Sequence, residues 1–195
     1  RQMCIRDRHT HLPSFAEGVR AAMREDPDVI LVGELRDADT VRWAMTAAET
    51  GHLVLGTLHT TSAVKTMDRL IDALPAEERE QTKSFMSQSL IGVVTQTLVR
   101  TPDLRGRRAI CEVMVTNRAI GKLLMTDQTH MIPSQLQTGR DAGMQLMDQA
   151  LLAAVQAGEV DPEDAFQYAL DKRPFTRYVN DGTAILKADV TQGMT

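Results

Sequence analysis

Two ionisable side chains, Glu34 and His59, each follow an apolar run in the sequence. Glu34 comes directly after the run 29–33, and His59 follows the run 53–58. In open α/β sheets, ligands bind in the crevice at the carboxyl ends of such strands. A carboxylate there can act as general base toward a water molecule, and a histidine can donate to an oxyanion or a phosphate oxygen. These residue types therefore suit hydrolysis of a phosphoanhydride.

Other chemistry fits the same residue types. Hydrolysis by a serine, a histidine and an acid would use them equally well, but the sequence has no Gly-x-Ser-x-Gly elbow. It also has no Gly-x-x-x-x-Gly-Lys-Ser/Thr loop to cradle phosphates. A third interpretation is that Glu34 is only the acidic end of a strand beside a helix cap. The residues alone therefore predict half of a phosphate-handling site.

The elements around Glu34 and His59 should bring these two side chains together. The apolar run 29–33, bounded by a proline and a glycine, predicts a strand of the parallel type, buried on both faces. Asp37 can cap a helix over about 38–50, and the next strand covers 53–58. Because consecutive strands of a βαβ unit run in parallel, their carboxyl ends meet at one sheet edge.

The remaining segments predict further helices and one hairpin. Ser14 is placed to cap a helix that ends at Asp26, because Pro27 pushes the preceding residue out of the α region. Strands over 93–99 and 109–115 are joined by a turn that contains a proline and a glycine. The sequence after residue 117 is typical of short helices, predicted at 118–125, 133–137, 143–157 and 162–170.

Composition and charge exclude several classes of function. A net charge of −4 gives no overall basic field for nucleic acid. The apolar runs are too short to cross a bilayer, so we expect no transmembrane segment.

His52 and His59 are an odd number of residues apart on an extended segment, so their side chains should face opposite ways and are poor candidates for one metal site. Cys4 and Cys111 lack metal-ligand spacing, and we therefore expect no metal bound directly by these side chains.

Two long segments resemble a known family. Residues 23–37 are similar to the signature around the Walker B motif of the secretion-superfamily ATPases, and residues 49–63 are similar to the histidine box of that superfamily. Agreement continues at 68–72 and 129–133 and extends from Ser14 to about Asp171. Within the superfamily, the chain most resembles the twitching-motility (retraction, PilT-like) ATPases of type IV pili.

The resemblance implies a fold and a domain organisation. The fold class is α/β, a RecA-like P-loop NTPase core with a mostly parallel sheet and antiparallel additions, followed by a small C-terminal helical region. The implied divisions are a non-native or disordered leader at 1–13, the C-terminal half of the ATPase core at 14–116, a helical subdomain at 117–171 and a tail at 172–195. The N-terminal half of the core, with its phosphate loop, would precede this sequence.

The resemblance also implies roles for individual residues. Glu34 would be the catalytic carboxylate, and His59, His52 and Arg36 would be nucleotide-binding positions. The cofactors would be ATP and Mg²⁺. The partners would be other copies in a homo-hexamer and the pilus platform protein of the inner membrane, so the protein would be cytoplasmic and peripheral at that membrane.

The sequence departs from the family in two ways that bear on function. Without a phosphate loop, this chain alone should be inactive. The retraction-linked helix of the family carries arginine and glutamate where residues 119–126 read Ala-Ile-Gly-Lys-Leu-Leu-Met-Thr. The alternatives are therefore a pilus-assembly or type II secretion ATPase paralogue and a non-catalytic scaffold subunit.

Overall fold

Local sequence signals set the bounds of the helices and strands. The computed structural model describes Ile5 and residues 11–179, so most of the predicted leader and tail lie outside the described residues. The helices are α1 Phe15–Ala22, α2 Ala38–Glu49, α3 Ala63–Asp72, α4 Arg79–Ser89, α5 Arg118–Met125, α6 Ile132–Thr138, α7 Met147–Gln156 and α8 Pro162–Tyr168. The strands are β1 Val29–Val32, β2 Leu53–Gly56, β3 Gly92–Arg100 and β4 Arg107–Val115.

The predicted helix caps are confirmed. Ser14 accepts a hydrogen bond from the Glu17 N–H at 3.2 Å and begins α1. Asp37 accepts from the Thr40 N–H at 2.8 Å and begins α2. These side chains satisfy backbone donors that have no partner within the helix. The helical stretch that begins with α1 ends at Asp26, which adopts a left-handed conformation with φ of 51° before the proline.

The described residues form two compact units. The first unit holds the described residues up to Thr60 together with 64–91 and 116–132. The second holds 61–63, 92–115 and the described residues from Pro133 onward. The boundary predicted between residues 116 and 117 from the family resemblance stays a prediction.

The first unit contains the predicted βαβ arrangement. β1 and β2 pair in parallel, with Ile30 opposite Val54, and α2 connects them. Val19 of α1 and Ala47 of α2 pack with Ile30 and Val32 in a buried cluster on one face of the strand pair. The parallel pairing confirms the prediction that the ends of both strands meet at one edge.

The opposite face of the strand pair corrects one expectation. The apolar run of β1 was expected to be buried on both faces, but Leu31 is 69% exposed while Val32 is 3% exposed. Leu55, opposite Leu31 in the register, is also 49% exposed. The prediction was wrong because, among the described residues, α1 and α2 cover one face of β1 only. A strand's sequence shows that both faces are apolar, whereas their burial depends on other elements.

The second unit is built on the predicted hairpin. β3 and β4 pair antiparallel, with Gly92 opposite Val115. Val99 and Ile110, on the buried face of the hairpin, pack in one apolar cluster with Leu151 of α7, Phe166 of α8 and Phe175. The antiparallel strands confirm the sequence prediction. They form a separate two-stranded sheet within the described residues.

None of the helices in the described residues is both long and apolar enough to cross a membrane.

Candidate active site

Glu34 lies one residue beyond the loop glycine that follows β1. Its side chain is 20% exposed, which makes it accessible to water while partly enclosed by protein. The Nε2 atom of His59 lies 3.6 Å from Glu34 Oε1. The predicted meeting of these two side chains, 25 positions apart in the sequence, is therefore present in the structure. The catalytic role assigned to Glu34 remains a prediction.

The guanidinium of Arg36 faces the same carboxylate oxygen. Arg36 Nε lies 3.5 Å from Glu34 Oε1. Both separations exceed the 2.7–3.2 Å usual for N–H···O hydrogen bonds, so they are electrostatic contacts. The side chains of Arg36 and His59 are 66% and 82% exposed, respectively. The carboxylate is therefore flanked by two positive or protonatable groups that an anionic ligand can also reach.

The loop that carries His59 is held on the start and middle of α3. Arg69 Nη1 donates to the backbone oxygen of His59 at 3.2 Å. The hydroxyls of Thr60 and Thr66 lie 2.7 Å apart and share a hydrogen bond. These contacts fix the backbone at His59 and leave its ring exposed. Arg69 and Thr60 were not identified from the sequence as supports for His59, because their role depends on how the loop folds back onto α3.

His52 lies between the end of α2 and the start of β2. Its Nδ1 atom is 2.9 Å from the Ala47 oxygen and 3.1 Å from Thr50 Oγ1. Because a carbonyl oxygen only accepts, the first contact assigns the proton to Nδ1. His52 therefore bonds to the end of α2, whereas His59 and Arg36 contact Glu34. The predicted nucleotide-binding role of His52 stays a prediction.

The connection on either side of Glu34 is attached to Thr57. The Leu35 N–H donates to the Thr57 backbone oxygen at 2.9 Å. The Thr57 hydroxyl donates to the Gly33 oxygen. This role of Thr57 could not be predicted from the sequence, in which Thr57 is only a residue of the predicted strand 53–58. The structure ends β2 at Gly56 and places Thr57 beside Glu34.

No cluster of three His, Cys, Asp or Glu side chains arranged to hold a metal occurs in Ile5 or residues 11–179. Asp37, the carboxylate nearest in sequence to Glu34 on its C-terminal side, uses both its oxygens on Thr40. The side chains of this site therefore fit the water-activating and phosphate-contacting side of a nucleotide site. They do not form a metal cage or a phosphate cradle.

Comparison with known proteins identifies the family of this site. Residues 2–167 match a family model described as "Type II/IV secretion system protein". The chain is 51% identical over 160 residues to the "Twitching motility protein" of Neisseria gonorrhoeae, covering 82% of this chain and 43% of that protein. It is 48% identical over 164 residues to the "Type IV pilus retractation ATPase PilT" of Pseudomonas aeruginosa, covering 84% and 47%. These relatives confirm the resemblance inferred from residues 23–37 and 49–63.

A solved structure shares the fold. The chain matches the "Crystal Structure of the Pilus Retraction Motor PilT and Bound ADP" with a TM-score of 0.77 and 38% sequence identity. The match covers 87% of this chain and 47% of that one. This likeness confirms the predicted fold class. The chain spans about half the length of the relatives it matches.

Proposed function

Because this chain belongs to the type II/IV secretion system protein family, we propose that it is the hydrolytic half of an ATP-driven motor for type IV pilus retraction. The observation that carries the proposal is the meeting of Glu34 and His59 at the ends of two parallel strands, 3.6 Å apart. The names of the two relatives described above support the retraction branch. The working assembly would be a homo-hexamer at the cytoplasmic face of the inner membrane, acting on the pilus platform protein.

In the proposed reaction, Glu34 orients a water molecule and accepts its proton. The partial exposure of the carboxylate leaves room for that water. His59 and Arg36 present N–H groups on the same side and can stabilise negative charge on phosphoryl oxygens. ATP, when bound, supplies the phosphoanhydride bond. Mg²⁺ would neutralise part of the negative charge of the phosphates. The described residues contain no cluster of three His, Cys, Asp or Glu side chains that could hold the ion.

The phosphate cradle would come from a preceding part of a longer polypeptide. The exposed apolar face of the β1–β2 pair, which includes Leu31 and Leu55, supports this proposal. Parallel strands are normally covered on both faces. Another part of the fold, present in a full-length protein, would then cover this face and carry the phosphate loop. The 195-residue chain alone is accordingly expected to be inactive.

The decisive experiment replaces Glu34 with glutamine in the full-length gene product. Loss of the general base should lower kcat about 10²- to 10⁴-fold, while the affinity for ATP stays within about twofold. Phosphate release measures kcat, and a fluorescent nucleotide titration measures affinity. The isolated chain serves as a second sample, in which no turnover is expected. Undiminished turnover by Glu34→Gln would assign the general base to another residue.

The segment 119–126, most of which lies in α5, favours one alternative within the same family. It lacks the charged residues of the retraction pattern, which is compatible with a pilus-assembly or type II secretion ATPase paralogue. A non-catalytic scaffold is the alternative from a different class. Turnover by the full-length protein excludes the scaffold. Pilus retraction in cells that lack the gene, compared with complemented cells, separates a retraction motor from an assembly or secretion motor.

A further inference from the structure

The residues on both sides of Glu34 are attached to one residue of the neighbouring strand segment. Thr57 accepts the Leu35 N–H through its backbone oxygen and donates its hydroxyl to the Gly33 oxygen. The first bond joins the turn after β1 to the residue that follows β2. The second comes from a side chain, so it depends on the residue type at position 57. Glu34 is the single residue between these two points of attachment.

A close apolar contact holds the same turn from another side. A Cβ atom added at Gly56 would lie 2.5 Å from Leu35 Cδ1. Leu35 therefore packs directly against the backbone of Gly56, the residue before Thr57. Together, the apolar contact and the two hydrogen bonds leave the backbone at Glu34 little freedom to rotate. The position of the carboxylate relative to His59 and Arg36 is then set by the 56–57 segment.

We propose that Thr57 is a positioning residue for the general base Glu34, its hydroxyl holding the Gly33 peptide so that the carboxylate points toward the reacting water. The assignment rests on the proposed hydrolytic function. Thr57 acts through the Gly33 carbonyl, and its own contact is with the backbone of the turn. Removing its hydroxyl should therefore slow the chemical step with little effect on nucleotide binding.

The exposure of Thr57 makes this inference testable. In the 195-residue chain Thr57 belongs to the exposed residues, so replacing it there removes no buried apolar contact. In the full-length protein, a rate that is lost in Thr57→Val and kept in Thr57→Ser reports the hydroxyl, because valine keeps the methyl group and serine keeps the donor. Misplacing a catalytic group by about 1 Å can lower the rate about 10²-fold. A hydroxyl that restricts one peptide group should accordingly contribute about tenfold or more to kcat.

The test compares Thr57→Val, Thr57→Ala and Thr57→Ser in the full-length gene product. Valine and alanine remove the donor, and alanine does so without adding a methyl group next to the Gly33 oxygen. We expect kcat to fall about tenfold to a hundredfold in both, with KM for ATP within about twofold of the wild-type value. Serine restores the hydroxyl and should restore most of kcat.

Thr46→Val is the matched control. The Thr46 hydroxyl also donates to a backbone oxygen, that of Arg42 at 2.9 Å, within α2 and away from Glu34. This variant loses the same kind of bond and should keep the wild-type kcat. Urea unfolding of every variant identifies any loss of folding, and the alanine variant replaces the valine variant if the latter is unfolded.

Amide hydrogen exchange tests the positioning directly, without turnover. The Leu35 amide should exchange about fivefold faster in Thr57→Val and Thr57→Ala than in the wild type or Thr57→Ser, because the turn opens more readily without the hydroxyl. The measurement can be made on the 195-residue chain itself. Unchanged exchange at Leu35 in both variants overturns the positioning role, whether or not the protein hydrolyses ATP.

The kinetic results separate the two proposals. If Glu34→Gln abolishes turnover while Thr57→Val and Thr57→Ala keep the wild-type kcat, the role of Thr57 is wrong and the proposed function stands. If Glu34→Gln keeps its turnover, or the wild type has none, the proposed function fails, and the exchange rate of the Leu35 amide alone decides whether Thr57 holds the turn. A serine variant as slow as the valine variant also contradicts the role of the hydroxyl.

Discussion

Glu112, on the buried face of β4, accepts hydrogen bonds from the first residues of two helices. It is 5% exposed and accepts the Ala63 N–H at 2.7 Å and the Met147 N–H at 3.3 Å. Ala63 and Met147 are the first residues of α3 and α7, where backbone donors have no partner within the helix. A buried charge is tolerated only when hydrogen bonds compensate it, and these two contacts provide that compensation.

We expect Glu112→Leu to destabilise the second unit. The change leaves two backbone N–H groups without their acceptor, and each loss costs about 1–3 kcal/mol. The free energy of unfolding from urea titration should fall by about 2–5 kcal/mol. Glu112→Gln keeps an acceptor oxygen and should lose less than the leucine variant. Glu49→Gln, at an exposed position of α2, should stay within about 0.5 kcal/mol of the wild type. Equal stability of the wild type and Glu112→Leu would contradict this role.

At the scale of elements, α4 and α5 approach each other closely. A Cβ atom at Gly121 of α5 would lie 2.7 Å from the Ser87 oxygen of α4. A larger side chain at this position cannot enter that space unless the two helices separate. The glycine therefore permits the close packing of α4 and α5.

Lys83 joins α4 to the turn after α5. Its Nζ lies 2.8 Å from Asp127 Oδ2 and 2.7 Å from Glu80 Oε1. The side chain of Lys83 is 9% exposed, whereas both carboxylates are largely exposed. The hydrogen bond to Asp127, followed by the one to Glu80, raises the pKa of Lys83 above its ordinary value. The charged form is therefore favoured by folding.

Because the pKa of Lys83 is raised by folding, the first unit should lose stability at alkaline pH. A lysine whose pKa is higher in the folded state stabilises that state below its unfolded pKa of about 10.4. The contribution disappears as the pH rises through the folded pKa. We expect Lys83→Met to lower the free energy of unfolding by about 1 kcal/mol at pH 8. The effect should be small because both carboxylates are exposed and solvent screens their charge. Urea titrations should show this difference shrinking as the pH rises above the unfolded pKa of about 10.4.

The control for this prediction is Lys122→Met. Lys122 is an exposed residue of the neighbouring helix α5. Its replacement should change stability little at either pH. A constant difference between the wild type and Lys83→Met across the alkaline range would show that Lys83 contributes through packing alone.

Across the whole molecule, the local features were predictable and the non-local ones were not. Ser14 and Asp37 set helix ends through hydrogen bonds to neighbouring residues, and the sequence located them correctly. The order of apolar runs also predicted the parallel pair and the hairpin. Of the site, the contact between Glu34 and His59 followed from topology. The attachment of that turn to Thr57 depends on strand register, which the sequence does not reveal.

The uncovered face of the β1–β2 pair tests whether the fold is completed by another part of a longer protein. Leu31→Ser should change the stability of the 195-residue chain by less than about 0.5 kcal/mol, because Leu31 is 69% exposed. In the full-length protein, where we propose that this face is covered, the same change should cost about 1.5–3 kcal/mol. Urea unfolding of both forms measures the difference.

Ile30→Ala is the matched control for this comparison. Ile30 is buried on the other face of the same strand, so its truncation should cost about 2–5 kcal/mol in both forms. A small effect of Leu31→Ser in the full-length protein would mean that the face stays open to solvent there.

The first unit is interrupted in the sequence by the β3–β4 hairpin, and this sets an order for protein synthesis. α4 leaves the ribosome first, then the hairpin at 92–115, and only afterwards α5, which packs on α4. Domains fold as their chain emerges, N-terminal parts first. α4 is therefore exposed before its packing partner α5 has been made, whereas β3 and β4 are joined by the short segment 101–106 and can pair early. A pause in translation before residue 118 would prolong the exposure of α4.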